Sequence, residues 1–566
     1  MKAKVTRRQF LKSTAQAGVL LGIVGGSTWG GGCASGKSFD LIIKSGMVVD
    51  GIANKSYQAD VGIIGERIEA VGNLRKAQAK TILDATGRTV SPGFIDIHSH
   101  TGLELLINPK AESKIRQGVT TELGGNCGGS PFPLKKELQD EERRWAEKVG
   151  VEIDWVDLEG FYTRLAKNGI AVNYATLVGQ GTVRSRVMEQ ERREPTSEEM
   201  EQMRALVAQA MEQGAFGLST GLEYTPSGFA TTPEVIELCR VAAEYGGFYA
   251  THIRSEANQL LEALAEAIFI AERVGIPLQI SHLKAAGKVN WWKTPMVIDL
   301  IERAQQRGLA VNADRYPYTA YSTGITIFFP QWALEGGTKR FIERIKDREL
   351  RQKMRAETVE RVIGNNSWES ILIVGISTEK NRPLEGKYIS EAAAERKKDP
   401  YEFTCDLLIE EEGNVSIVGF GMSDENTEFI LKHPLVMLGS DGSALAPYGP
   451  LSEGIPHPRN YGAFPRFLGF YVRENKLLTL PEALKKITSM PAAKMGLKDR
   501  GSIQKGNFAD IVIFDPQTIS GQATYTDSEQ YPVGIDYVIV NGKIVVDHGE
   551  HTGELPGKTL KGAGKK

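Results

Sequence analysis

The chain has 566 residues, 41% of them hydrophobic and 24% charged, the make-up of a globular protein of two or three domains and not of a disordered one. Its formal net charge is −2, and no stripe of basic and aromatic residues runs through it, which argues against nucleic acid as a partner. Of the four cysteines one lies in the leader; the remaining Cys127, Cys239 and Cys405 cannot all pair, so no disulfide framework is expected.

Residues 1–36 read as a targeting segment. "TRRQFLK", Thr6 to Lys12, has the form of a twin-arginine export signal, and the apolar run "AGVLLGIVGG" follows it. That run is too short to cross a hydrocarbon core of ~30 Å, which predicts an exported protein, periplasmic or at the cell surface, with no transmembrane anchor. Two processing routes stay open. "GGGCAS" offers Cys33 for lipidation, although Gly30 stands where lipoprotein signals carry a larger aliphatic, and "ASGK" offers cleavage after Gly36. A lipid anchor at Cys33 is the one membrane contact the sequence suggests.

After the leader, "DLIIKSGMVVDG" and "ADVGIIGERIEAVG" alternate with period two and predict paired strands. The same grammar returns in "GSIQKGNFADIVIFDP" and "IDYVIVNGKIVVDHG", so residues 37–91 and 498–555 are expected to build one small β-sandwich from both termini. Residues 92–497 alternate short apolar runs with helical patterns. The runs are "GFIDIHSH", "TTELGGNC", "AVNYATLVG", "AFGLST", "GFYATH", "PLQISH", "LAVNADR" and "LVMLGSD". Eight such runs predict an α/β fold of (β/α)8 TIM-barrel type. The segment "TSEEMEQMRALVAQAMEQG" carries a Thr196/Glu199 capping box and a terminal glycine, the marks of a helix. Between the seventh and eighth runs lie over a hundred residues, too many for one crossover. An insertion at about 325–400 is expected there, with the charged block 341–362 as solvated helix.

Only eight histidines occur, and four end predicted strands: His98, His100, His252 and His282. His98 and His100 are two apart, so both side chains fall on one side of a strand. The carboxyl ends of barrel strands meet at one face, where Cys127 and Asp441 also arrive. One strand-end histidine is ordinarily structural. Four of them with a thiol and a carboxylate indicate a metal centre, and thiolate with imidazole favours zinc over magnesium or calcium. Cys127 sits in "GGNCGGS", where the glycines suggest loose backbone arranged for access. Asp441 beside a divalent ion is placed to act as general base and then acid. Cys239, in a helical pattern, reads as core.

At these residues the chain resembles the amidohydrolase superfamily, and within it the N-acyl-D-amino-acid deacylases. "SPGFIDIHSH" carries the superfamily likeness; "AESKIRQGVTTELGGNCG", "GAFGLSTGLEYTP", "ATHIRSE", "ISHLKAAG", "DRYPYTAYST", "MLGSDGSA" and "HPRNYGAFPRFLG" occur in the deacylases' order from about Asp40 to His551. The resemblance implies that Cys127, His252 and His282 hold one tightly bound Zn2+. It also implies that His98 and His100, with the shared thiolate, form a second, weaker site, and that Asp441 is the catalytic acid/base. It further implies that Tyr224, Lys284, Tyr316, Ser322 and Arg459 bind substrate. Many superfamily members bridge two metals with a carboxylated lysine on strand four. No lysine occurs between Asn168 and Leu283, and by the resemblance Cys127 takes that place. "TGLELL" follows His100 where many relatives carry an acidic residue, a departure at the weaker site.

The implied activity is hydrolysis of small-molecule N-acyl-D-amino acids to a carboxylate and a D-amino acid. A dipeptidase of the same superfamily acting on L-Xaa-D-Xaa peptides and a non-catalytic binding or scaffold protein are the alternatives. The sequence leaves the oligomeric state open.

Overall fold

The computed structural model describes residues 38–135 and 146–564; the leader and Cys33 lie outside them. One nine-stranded sheet draws on both ends of the chain. Strand Ser38–Val48 pairs antiparallel with Tyr57–Ile64, and Thr89–Pro92 pairs antiparallel with Ile511–Phe514, placing Val90 opposite Ile513. Ile511–Phe514 continues to Ile535–Val540 and Lys543–Asp547. The Asn541-Gly542 hairpin between the last two has both residues at positive φ, 47° and 78°, as a tight primed turn requires.

The β-domain expected from both termini is knit into one continuous hydrogen-bonded sheet around its core, and the reason is local. A bulge between Ile43 and Gly46 turns the first strand, so that Ser38–Lys44 pairs with Gln78–Asp84 while Met47 and Val48 pair with Thr89 and Val90. Leu41, Ile43, Val61, Ile63, Val90, Ile511 and Ile539 close one apolar core inside it.

Eight parallel strands form the barrel: Phe94–Asp96, Val119–Gly124, Asn173–Thr176 (resuming at Val178–Gly179), Gly217–Gly221, Phe248–His252, Leu278–Ile280, Val311–Arg315 and Val436–Leu438. Each pairs in parallel with the next. Closure comes beyond the strand ends. Ser99 bridges Gly442 in parallel, the Asp441 amide donates to the His98 carbonyl at 2.8 Å, and the His100 amide donates to the Gly442 carbonyl at 3.0 Å. Strand one and strand eight are thereby stitched together at the histidines.

Helices cover the barrel by their apolar stripes. Leu260–Val274 buries Leu260, Ala263, Leu264, Ala267, Ile268 and Ala271, the three-and-four spacing of one helix face. Ser197–Gln213 starts at the Thr196/Glu199 capping box and ends at Gly214, whose φ of 115° suits glycine. Cys239 is buried in Thr232–Glu244.

The insertion between strands seven and eight is wider than 325–400. Its sheet begins at Tyr321–Gly324 and ends at Val415–Gly419, because these two segments pair antiparallel, with Ile371–Ile376 on the other side of the second. The charged block divides into helices Gly337–Lys346 and Arg348–Asn365, broken at Asp347, which accepts from the amides of Glu349 and Leu350. Phe329, Phe341, Ile345, Met354, Ile373, Tyr401 and Leu408 give this unit its own core.

Candidate metal and catalytic site

The sulfur of Cys127 lies 3.4 Å from Nε2 of His98 and 3.4 Å from Nε2 of His282. Nδ1 of His252 is 3.0 Å from His282 Nε2. Asp441 Oδ1 is 3.3 Å from His98 Nε2 and 2.9 Å from His100 Nε2. Two sets of donors therefore converge, His98–His100–Cys127–Asp441 and Cys127–His252–His282, each with its atoms within 4.8 Å of one another and the thiol in common.

The backbone is bent to make this possible. Cys127, His282 and Asp441 have φ of 51°, 34° and 54°, left-handed values that cost residues with a Cβ about 1–3 kcal/mol each. The glycines around Cys127 are packed, not loose, which corrects the reading of "GGNCGGS". A Cβ on Gly125 would stand 2.2 Å from the Leu177 carbonyl oxygen, and one on Gly128 would stand 2.7 Å from the Gly221 amide nitrogen. Glycine lets the loop press against strands three and four, and that pressure aims the thiol.

Carboxylates orient the rings from behind. Asp314 Oδ1 is 3.0 Å from His98 Nδ1 and also accepts the His282 amide at 2.7 Å. Glu256 Oε1 is 2.9 Å from His282 Nδ1, and Glu223 Oε2 is 3.0 Å from His252 Nε2. Beneath Asp441, the buried Lys114 ammonium donates to Asp96 at 2.8 Å, to Ser440 Oγ at 2.6 Å and to the Gly442 carbonyl at 3.0 Å. Sequence reasoning missed Asp314, Glu256, Glu223 and Lys114. The available signals were an acid ending the seventh run in "NADR" and one four residues after His252 in "THIRSE".

The electrostatics suit a cation. Burial acts to lower the His252 ring, but Glu256, the Cys127 thiolate and Glu223 outweigh it and lift the ring to about 10. Burial acts to raise the Cys127 thiol, and the His98 and His282 rings overcome this, holding it well below the usual thiol range. A field that favours imidazolium over imidazole equally favours a divalent ion held by neutral rings and a thiolate. Backing of the donor rings by carboxylates completes the arrangement known from metal sites. The residues present fit zinc.

Arg459 donates from Nη1 to Asp441 Oδ2 at 2.7 Å, and its Nη2 reaches the Ser322 carbonyl at 3.4 Å. It is buried, not the exposed ion pair that a lone arginine would suggest. Burial acts to raise the Asp441 carboxyl, and Arg459 with the surrounding rings holds it well below the usual carboxylate range. Lys284 donates to Glu256 at 2.5 Å. Tyr224 accepts from Thr323 Oγ1 at 3.3 Å, with its ring 4.7 Å from that of His252. Tyr316 lies fully buried with its ring 5.2 Å below the Arg459 guanidinium, and neither its hydroxyl nor Arg459 Nε has a hydrogen-bond partner among the described residues. Tyr224, His282, Ser322, Asp441 and Arg459 share a cleft of about 300 Å³ with Cys127 and His100.

Residues 81–546 match the model of the amidohydrolase family. The D-aminoacylase of Alcaligenes xylosoxydans xylosoxydans is 36% identical over 532 residues, covering 93% of this chain and 98% of that one. The N-acyl-D-glutamate deacylase of the same organism is 33% identical over 529 residues, covering 93% and 97%. Among solved structures, the N-acyl-D-glutamate deacylase of Bordetella bronchiseptica, complexed with zinc and a phosphonate mimic of the tetrahedral intermediate, superposes with a TM-score of 0.78. It is 31% identical, with coverage of 93% of this chain and all of that one. A D-aminoacylase structure superposes with a TM-score of 0.77 at 34% identity, covering 92% of this chain and 100% of the other. With the barrel, the shared thiol and these likenesses in place, the chain belongs to the amidohydrolase family, in its branch of D-aminoacylases and N-acyl-D-amino-acid deacylases.

Proposed function

We propose that this chain is a zinc-dependent hydrolase that splits the amide of N-acyl-D-amino acids into a carboxylate and a free D-amino acid. The observation that carries the reading is one thiol 3.4 Å from two imidazole nitrogens, with a carboxylate 3.3 Å from the first of those rings. The likeness to deacylases over nine-tenths of the chain supplies the substrate class. Cys127, His252 and His282 would hold the tighter zinc; His98 and His100, sharing the thiolate, would hold a second. Bound there, zinc supplies Lewis acidity, drawing electron density from the acyl oxygen and making water a stronger acid.

The protein's own groups do the rest. Asp441 Oδ1 faces the rings while Oδ2 is engaged by Arg459, so Oδ1 is the atom that takes the proton of the attacking water. The same atom delivers it to the departing nitrogen. Arg459 Nε and the Tyr316 hydroxyl are buried without partners, and buried donors left unpaired point to a ligand. An α-carboxylate in the cleft would be met by Arg459, with Ser322 and Tyr224 alongside and Lys284 in the adjoining cavity; Tyr316 backs the arginine from beneath. Fixing carbonyl, carboxylate and side chain at three points selects one hand at the α-carbon.

The twin-arginine leader supports export to the periplasm or cell surface, with Cys33 as the residue a lipid anchor would use. Purified, zinc-loaded protein assayed against N-acetyl-D-amino acids, N-acetyl-L-amino acids and L-D dipeptides tests the reading. Turnover confined to the D-series is expected; turnover confined to the L-series overturns it. Asp441→Asn should retain zinc and lower kcat by about 10²–10⁴-fold.

A further inference from the structure

Two further cavities open from the catalytic cleft, and they differ in chemistry. One, of about 410 Å³, is walled by Glu223, Arg254, Glu256, Lys284 and Ser322. The other, of about 650 Å³, is walled mainly by Leu103, Pro131, Leu134, Ile153, Trp155 and Pro226. Tyr224 lines both cavities and the cleft, and Cys127 and Gly129 lie in the cleft and the apolar chamber.

We infer that the apolar chamber receives the acyl arm of the substrate and that the enzyme acts on N-acyl-D-amino acids whose acyl group is an extended, uncharged alkyl chain. This rests on the deacylase reading for its orientation. Lys284 and Ser322, on the α-carboxylate side, line the polar cavity, and Arg459 lines the cleft; none of the three lines the apolar chamber. An amide has two arms. With the carboxylate arm toward Lys284 and Arg459, the acyl arm leaves past Cys127, Gly129 and Tyr224 into the chamber.

Several of the chamber's polar atoms are engaged by the protein. Trp155 donates its indole N–H to the Pro131 carbonyl at 2.8 Å, Thr182 Oγ1 accepts the Ser130 amide at 3.0 Å, and the Ser227 hydroxyl is bonded to Gln180. The rest of the wall is largely hydrocarbon and indole, with the Ser185 and Thr225 side chains among it, and the volume is ample for an alkyl chain. The charged residues of the wall are Lys135, paired with Glu189 at 2.7 Å, and Arg186, which donates to the Leu134 carbonyl at 3.2 Å.

The test compares octanoate with acetate binding to the zinc-loaded protein by calorimetry, and measures kcat/KM for N-acetyl-, N-butyryl-, N-hexanoyl- and N-octanoyl-D-leucine. A buried methylene is worth up to about fourfold, so octanoate should bind on the order of a hundredfold tighter or more. The gain in kcat/KM should appear as a falling KM. Ile153→Trp, or Ser185→Phe on the same chamber wall if the first variant does not fold, should erase the octanoate advantage and leave acetate binding and N-acetyl turnover unchanged. Octanoate binding no tighter than acetate overturns the inference, as does a variant that weakens both ligands equally. Absence of turnover on every D-substrate would fall on the deacylase reading and leave the octanoate comparison to judge the chamber. Turnover of N-acetyl-D-leucine with a flat acyl series would remove the chamber proposal alone.

Discussion

The barrel mouth and the inserted layer face the same cavity but are built on different terms. At the mouth several of the converging side chains have a partner that aims them: Asp314 behind His98, Glu256 behind His282, Glu223 behind His252, and Lys114 beneath the segment that carries Asp441. The inserted layer has a separate core, and it meets the cavity with polar ends from helix Arg348–Asn365. Of these, Glu357 and Arg361 pair with each other at 3.0 Å, while Glu360 is exposed. Reactive groups are held by the barrel and part of the wall that meets the substrate is held by a second unit, so the two should fail separately.

The largest expected effect breaks the mouth alone. Cys127→Ala removes the donor common to both sets, so zinc content and turnover should fall to background while the melting of the inserted layer stays put. Retention of a full zinc complement in that variant would end the shared-thiol account. Phe341→Ala attacks the other side: emptying a fully buried ring position should cost about 3–5 kcal/mol in chemical denaturation. Zinc content should be untouched; a matching loss of metal would show that the two regions are one cooperative body. Asp314→Ala sharpens the comparison by sparing every donor and removing only an orienting partner. Metal affinity should drop about 10–100-fold in competition with a chelator, and an unchanged affinity would deny Asp314 that role.

The smallest effect serves as a control that touches none of the converging donors. Thr196→Ala removes a helix cap and should cost about 1 kcal/mol with activity intact. In the same box Arg193 and the Thr196 amide hold the Glu199 carboxyl at about 2, below its ordinary 4.5. A depressed carboxyl stabilises the fold fully above the unfolded value and loses that contribution as pH falls toward the folded one. The stability gap between wild type and Glu199→Gln should therefore be widest above pH 4.5 and close toward pH 2. A gap independent of pH would remove the ionic part of the cap.

How much could be read beforehand follows from distance along the chain. His98, His100, Cys127, His252, His282 and Asp441 were legible because each ends an apolar run, and barrel topology brings such ends together. Asp314 was not, since it acts on a ring 216 positions away and no local pattern marks that pairing. Lys114, fully buried between Asp96 and Ser440, looked like one lysine among many. The insertion began earlier than its charged helices suggested, because Tyr321–Gly324 is a strand only by virtue of pairing with Val415–Gly419. Glycines near Cys127 were visible, but their meaning reversed: tight contact, not slack, is what they permit.

The seam between Ser99 and Gly442 has one more consequence. The four imidazoles of the site and the thiol lie at or before residue 282, whereas Asp441, the carboxylate proposed to handle the proton, arrives only at 441. A growing polypeptide therefore owns every soft donor long before it owns a working centre. On the proposed roles, chemistry waits for the last stave of the barrel.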